Sequence, residues 1–493
     1  MVRELGEMQE LRLVEAVKLE SDESSVEVMH KIDAFPQWNS LHPLMPFSHQ
    51  NSPPHKRTTR KNINRSASGS AARYIEEHLA PSGTNPIRTT VQESNCEGRQ
   101  EDQPHIIPRN LKDDCSFLPG STRLPSFKAE VPINYMGDEQ PQAPAENKND
   151  KGLVGLANLG NTCYLNSTIQ ALRNTTELTA FFLEGRHQDY LKGKQDSNKS
   201  VVLAKAYVDL LQCIWSGHRP QYIRPVGFFN DMCKAVDDTV FDQFKMKIAH
   251  DSHEFLMFML DNLHEALAEE VNIVITRPPP ETESDMMIQK ALEFWRDMFK
   301  KSYSPLIDLV FGLYQREMHC QRCNKKTHTY ETFNCLKVSM LQNVERASLD
   351  ECLQEELKEE TIEEYACDHC APTRATAIRR TKLWKLPKIL FIALKRFSPT
   401  GAKLQTPLSL NPQEEVSFES HFSSASPEPS RHRKYSLFAT IDHFGTTHGG
   451  HYTSQAKNPL TSKWNGYDDE SVYDLEGPSI GRSTYICCFR ASN

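Results

Sequence analysis

Two stretches of this chain hold residue types that can break an acyl bond, and two short cysteine pairs hold the ligands of a metal. The first stretch runs Gly155-Leu156-Ala157-Asn158-Leu159-Gly160-Asn161-Thr162-Cys163-Tyr164-Leu165-Asn166-Ser167 and continues into a helical pattern through Leu172. It sets a cysteine where a helix begins. With Asn161 or Thr162 as N-cap, the unpaired amides of the first turn favour a thiolate and make Cys163 a candidate nucleophile. Gly155 and Gly160 let main chain approach closely, and the Asn158 side-chain amide can donate to a developing oxyanion.

The second stretch is His443-Phe444-Gly445-Thr446-Thr447-His448-Gly449-Gly450-His451-Tyr452, followed by Trp464 to Val472 with Tyr467-Asp468-Asp469 at its centre. A thiol nucleophile needs a base within hydrogen-bond reach and a third group to orient the imidazole. If Tyr452 to Ala456 and Lys463 to Tyr467 pair as antiparallel strands, one hairpin brings His451 beside Asp468. Asp469, next in sequence, is a second carboxylate that can orient His451. His443 and His448 read as ordinary surface histidines. Cys320-Gln321-Arg322-Cys323 and Cys367-Asp368-His369-Cys370 are two C-x-x-C turns whose four thiolates suit one tetrahedral structural zinc. They sit in strand-rich sequence without a thioredoxin-like βαβ pattern, which favours metal over redox chemistry. Cys335, Cys352, Cys487 and Cys488 read as core thiols.

Positioning these groups requires a folded body, and the chain supplies one from about Gly152 onward. Residues 1–150 contain 14 of the 29 prolines but 7 of the 43 aromatic residues, too little apolar surface to offset chain entropy, so this region reads as mostly disordered. Within it, Leu5, Met8, Leu11, Val14 and Val17 would line one face of a helix over Glu4 to Lys18, either a docking helix or a transient one. The basic stretch His55 to Arg65 reads as a solvated run or a nuclear import signal. Between Cys163 and Ser304 the periodicity is helical, with Phe255, Met259, Leu263 and Leu267 stepping by four. Arg277 to Asp285, carrying three consecutive prolines, reads as an exposed connection before a helix near Ile288 to Lys301. Beyond Leu309 come strand patterns at Thr327 to Leu336, Leu383 to Phe397, Tyr435 to Ile441 and Thr484 to Arg490, with Phe418 to Arg433 as a surface insertion. Helices first and strands later give an α+β fold class.

A formal charge of −8 argues against general nucleic-acid binding and points to protein partners. The longest apolar runs, Phe255 to Leu260 and Ile389 to Leu394, are six residues, against roughly 20 for a membrane-spanning helix. The first 30 residues hold eight acidic side chains and no apolar block, so no secretory or transit signal is read there. The expected compartment is cytoplasm or nucleus, where thirteen cysteines stay reduced.

Taken together, the Cys163 box, the H-x-G-x-x-x-x-G-H-Y spacing that ends at Tyr452, the Tyr467-Asp468-Asp469 segment and the cysteine pairs closely resemble the ubiquitin-specific protease family of cysteine deubiquitinases. The resemblance covers about Gly152 to Arg490, in the family's order. It implies a papain-like hand with a helical thumb (about 152–305), zinc-ribbon fingers (about 306–380) and a β-sheet palm (about 381–490). It implies Cys163 as nucleophile, His451 as base, Asp468 as orienting residue and Asn158 as oxyanion donor. The family's Q-D-A-x-E-F segment is matched by His250-Asp251-Ser252-His253-Glu254-Phe255, which implies Asp251 and Glu254 as contacts for the ubiquitin tail, with Gly450 and Tyr452 as further substrate-binding residues. Phe444 to Gly450 is similar in position to a mobile loop over that tail.

The implied activity is hydrolysis of the isopeptide bond after the C-terminal glycine of ubiquitin, with one structural zinc and no catalytic cofactor. The implied partners are ubiquitin, ubiquitinated proteins and a recruiting partner for the N-terminal region. Two other readings are a protease for another ubiquitin-like modifier and a catalytically silent binding scaffold. The intact set Cys163, His451, Asp468 and Asn158 speaks against the scaffold.

Overall fold

The computed structural model describes residues 15–18, 151–216, 221–398, 401–446 and 449–492. The order of elements is helices, then a strand-built extension, then a large sheet, as the α+β pattern requires. In the helical part, Asp251 caps Ser252–Leu267 by accepting from the amides of His253 and Glu254. Phe255, Met259, Leu263 and Leu267 are all fully buried on that helix, so the four-residue step is its core face. The Arg277 to Asp285 connection is largely exposed, and the helix after it spans Glu283–Phe299 behind a Thr282/Asp285 capping box.

The large sheet has eight strands. From one edge they run Ser471–Leu475, Trp464–Asp468, Gly449–Lys457, Lys434–Thr446, Thr484–Ala491, Ile389–Lys395 and Leu336–Ser339, with Val416–Ser417 added beside Lys434–Thr446. All pairings are antiparallel except that of Leu336–Ser339 with Ile389–Lys395. Ile389–Lys395 shows why the sheet is so apolar. Ile389, Phe391 and Ala393 face the core shared with the thumb helices, while Leu390, Ile392 and Leu394 face a second core completed by Leu349 and Leu353 of the helix Leu349–Glu356. A strand buried on both faces reads as a continuous apolar run.

A four-stranded antiparallel sheet forms the extension: Lys326–Phe333, Gly312–Cys320, Ala375–Lys385 and Glu360–Tyr365 in spatial order. Its tip carries the two C-x-x-C turns.

Two readings need correction. Glu15–Lys18 is a strand, not the end of a helix, and pairs antiparallel with Val271–Val274. An edge strand offers unpaired main-chain groups, and a helix of about 15 residues is marginal alone, so pairing wins. Residues 4–14 lie outside the described residues. The Phe418 to Arg433 segment is also more than a surface insertion. Phe418 is fully buried against Tyr435 and Phe489, and His421 bonds Asp350 at 2.7 Å, which pins the segment to the second core.

Arg396, fully buried, fastens the loops around the palm. Its Nε donates to Thr484 O at 2.5 Å, Nη1 to Leu404 O and Thr406 O, and Nη2 to Gly481 O at 2.8 Å. Arg396→Met would strip four carbonyls of their donor and is expected to destabilise the fold by about 3 kcal/mol or more. Urea unfolding measures this, and an unchanged midpoint would contradict it.

Candidate active site

The helix Cys163–Arg173 is buried along its whole length, and Cys163 is 5% exposed at its first position. Thr162 is the N-cap residue, but its hydroxyl turns back to accept from Leu159 N at 2.9 Å, so it does not cap the helix. Asn161 sits just before it with φ 54°, a left-handed turn that asparagine tolerates. Burial pushes the Cys163 pKa up, and the nearby main chain of Tyr452 and of the helix start offsets this only in part. The helix start therefore favours the thiolate, as the sequence suggests, yet the resting thiol keeps its proton. That places the need for activation on a base.

His451 is next to Tyr452 and supplies one. Its Nε2 lies 2.6 Å from Asp468 Oδ1, which leaves Nδ1 as the ring nitrogen available to a thiol. The hairpin that brings them together has the expected register, with Ser454 opposite Tyr467 and Lys457 opposite Trp464. Gly450 precedes His451 for a steric reason. A Cβ there would fall 2.2 Å from Phe444 O and 2.3 Å from His443 Nε2.

His443 is therefore not a surface histidine. It is 4% exposed, packed on Tyr452 at 4.5 Å and Phe397 at 5.3 Å between ring centroids. Burial and the charges of Lys403 and His451 push its pKa down to about 4. It stays neutral near pH 7 and acts as an apolar floor beneath the Gly450 main chain. His448 lies outside the described residues.

The two adjacent aspartates divide their work. Asp469 has φ 46° and lies in one cluster with His451 and Asp468, their ring nitrogen and carboxylate oxygens within 4.8 Å of one another, while its Oδ2 accepts from Asn158 Nδ2 at 2.8 Å and its Oδ1 from Asn166 Nδ2 at 2.7 Å. The same turn accepts Leu156 N on Asp469 O and Asn158 N on Glu470 Oε1. Asn158 Oδ1 in turn accepts from the amides of Gly160 and Thr162. With its oxygen used and one Nδ2 proton committed, Asn158 has one proton left to donate, on a side chain that is exposed. Asn166, which shares the Asp469 carboxylate with Asn158, stands out little in the sequence pattern. Its position, three residues after Cys163 and so on the same helix face, was the available signal.

Asp251 is drawn into the frame more than expected. Besides its cap bonds it accepts from Tyr485 Oη at 2.7 Å, tying a thumb helix to the strand Thr484–Ala491. Glu254, one turn on, is exposed, with Gln243 Nε2 at 3.3 Å, and is the carboxylate with acceptor capacity to spare. Tyr452 is 6% exposed.

At the tip of the extension, Cys320, Cys323, Cys367 and Cys370 hold their sulfurs within 4.8 Å of one another. The Cys320–Cys370 and Cys323–Cys367 separations are 3.9 and 3.7 Å. A tetrahedron with Zn–S bonds of about 2.3 Å has edges of about 3.8 Å, so the four thiols fit the ion with no further donor. Cys335, Cys352, Cys487 and Cys488 are buried in the cores.

The chain is similar to known proteins along the whole of this body. Ubiquitin carboxyl-terminal hydrolase 2 of Bos taurus is 30% identical over 353 residues, 69% of this chain and 55% of that one. Ubiquitin carboxyl-terminal hydrolase 4 of Saccharomyces cerevisiae is 29% identical over 445 residues, 83% of this chain and 47% of that one. The chain thus spans about half the length of these curated relatives. Among solved structures, the SAGA DUB module bound to monoubiquitin matches with a TM-score of 0.54 at 19% identity, over 71% of this chain and 72% of that one, a likeness of fold. The model of the ubiquitin carboxyl-terminal hydrolase family matches residues 154–489, from the segment before Asn158 to the last strand of the palm, and the chain belongs to that family.

Proposed function

We propose that this protein is a thiol-dependent ubiquitinyl hydrolase that cleaves the isopeptide bond after the C-terminal glycine of ubiquitin. The observation that carries the reading is a buried cysteine at the start of a helix packed against the strand Gly449–Lys457, on which His451 holds a 2.6 Å bond to Asp468. The names of the relatives and the monoubiquitin in a structure of like fold support ubiquitin as the substrate.

In this reading His451 takes the Cys163 proton and the sulfur attacks the glycine carbonyl. Negative charge gathers on the carbonyl oxygen, where the free Nδ2 proton of Asn158 and main-chain amides receive it. Collapse expels the lysine amine, which takes the proton from His451. Water, deprotonated by His451, then splits the thioester to give the ubiquitin carboxylate and restore the thiol. Asp468 keeps the imidazole in the tautomer that serves both steps. Glu254, Gly450 and Tyr452 flank the ubiquitin tail, whose arginines suit a carboxylate partner. Asp251 sets the channel wall through its bond to Tyr485.

One zinc held by Cys320, Cys323, Cys367 and Cys370 would supply structural cross-linking of the extension. Its four-sulfur shell leaves no position for substrate. Residues 151–493 form the catalytic unit, and the N-terminal region serves recruitment in the cytoplasm or nucleus.

Incubation with ubiquitin bearing a C-terminal electrophile, beside a panel of other ubiquitin-like modifiers, should yield one adduct at Cys163 with ubiquitin alone. Cys163→Ser should abolish turnover and keep ubiquitin binding. Adducts with a different modifier only, or none, would overturn the substrate assignment.

The divided aspartates give a second expectation. Asn158→Ala should lower kcat by roughly 10²–10³ with little change in KM. Asp469→Asn should fall in the same direction and add little to Asn158→Ala, whereas Asp468→Asn should add its full effect. Steady-state kinetics of the singles and the two doubles decide it; additivity of Asp469→Asn with Asn158→Ala would refute the pairing.

Metal analysis should find about one zinc per chain, and Cys323→Ser should lower ubiquitin affinity while leaving Cys163 able to react with a small alkylating agent. A fully active, well-folded protein without zinc would reject the site.

A further inference from the structure

Arg173 closes the helix that Cys163 opens, and it is completely buried. Its Nε donates to Gln170 Oε1 at 2.7 Å, while Nη1 and Nη2 meet no acceptor in hydrogen-bond geometry among the described residues, the Tyr467 hydroxyl being the nearby polar group that favours the charge against the cost of burial. The guanidinium carbon instead lies 4.6 Å from the ring centroid of Tyr467 and 5.3 Å from that of Trp215. Two aromatic faces stand where a carboxylate would be expected. A buried charge without a counter-charge costs stability, and an apolar side chain of similar volume would fill the space without that cost. Stability alone therefore gives no reason for a guanidinium here.

Position gives one. Cys163 lies at the far end of the same helix, about 15 Å away at 1.5 Å per residue. Tyr467 immediately precedes Asp468 in the strand Trp464–Asp468. Gln170, which receives the Arg173 Nε bond, donates its own Nε2 to Val154 O at 3.0 Å, just before the strand Gly155–Leu156 that leads to Asn158. Gly152 closes over the group with φ 77°, where a Cβ would fall 2.5 Å from Trp215 and 2.8 Å from Arg173 Nη1. The three segments that carry Cys163, Asp468 and Asn158 thus meet at one side chain, remote from all three functional groups.

We infer that Arg173 is a positioning residue whose guanidinium, stacked between Trp215 and Tyr467 and linked through Gln170 to Val154, sets the register of these three segments. The inference rests on the hydrolase reading above. Sliding the helix along its axis would carry the cation off both ring faces and break the Gln170 link, so the stack resists the motion that would separate Cys163 from its base. Lysine keeps the charge but has neither the planar face nor the Nε donor.

The test is Arg173→Met in the full chain. It should be read by turnover of a ubiquitin C-terminal fluorogenic amide, by thermal melting and by the pH profile of Cys163 alkylation with iodoacetamide. Misplacement far from the chemistry predicts a kcat lower by about ten- to a hundred-fold, with KM within about twofold. The melting temperature should be unchanged or raised, and the alkylation profile should move toward that of an isolated thiol. Tyr467→Leu should act in the same way, with the double variant no worse than the poorer single one.

Wild-type kcat and alkylation profile in Arg173→Met, or strict additivity with Tyr467→Leu, would overturn the inference. If Arg173→Met does not fold, Arg173→Lys decides: a folded lysine variant with lowered kcat upholds the role, and full activity assigns Arg173 to folding alone. A wild-type chain inert toward the ubiquitin amide would instead strike the hydrolase reading, and the alkylation profiles would then decide the role of Arg173 by themselves.

Discussion

Everything around Cys163 depends on a turn that gathers two consecutive carboxylates near His451 and gives them different hydrogen-bond partners. Successive residues of a strand already face opposite sides, and the left-handed conformation of Asp469 adds a change of direction where the strand Trp464–Asp468 ends. Asp468 is left with His451, and Asp469 is delivered to the amides of Asn158 and Asn166. Burial raises the Asp469 pKa, and the Asn166 and Asn158 amides together with the nearby His451 charge offset that rise only in part. The donors are what make a partly buried carboxylate tolerable at that point. Because Asn158 and Asn166 belong to the thumb and Asp469 to the palm, the same bonds join the two halves and shape the loop that would meet an oxyanion. Gly155 shows how close the fit is, since a Cβ there would lie 2.1 Å from Glu470 O.

The thiol follows from that junction. A cysteine at the start of a fully buried helix is stabilised as thiolate by main-chain donors, but the helix can be buried only by drying the cysteine too, and the drying dominates. The consequence is a thiol whose pKa lies above its ordinary value, so that attack by it would call for a base. His451 is partly exposed, whereas Cys163 is buried. His443, held neutral and packed under Gly450, adds no competing positive charge beside the base.

Features set by neighbours in sequence were legible, and features set by neighbours in space were not. The Cys163 box, the Phe255 to Leu267 core face and the His451–Asp468 hairpin follow from spacing of three, four or two residues and a single short connection. His443 was misjudged because Phe397 and Tyr452, which bury it, come from separate strands. Sequence proximity offers Asp468 and Asp469 alike as partners of His451, and both carboxylates do lie near its ring. No pattern announces that φ 46° sends Asp469 to the thumb. The Glu15–Lys18 segment was read by its helical period, and its strand pairing depends on a free edge at Val271–Val274, over 250 residues away in the chain.

The four-sulfur tip differs in kind from the rest. Elsewhere two large apolar cores hold the strands, whereas the buried cluster at the tip consists of Cys320, Cys367 and Ala375, with Cys323, Tyr365 and Cys370 partly buried around it. So few apolar atoms cannot supply the stabilisation that a sheet end requires at about 25 cal/mol per Å². Free energies of about 10–16 kcal/mol, seen when structural zinc binds small peptides, are of the size that would replace a missing core. The base of the four-stranded extension is held by the packing of Phe333 and Leu383, and at its tip four cysteines are arranged so that a metal could stand in for the missing core. Tip and catalytic site would in this way be stabilised by separate means, so loss of one does not entail loss of the other.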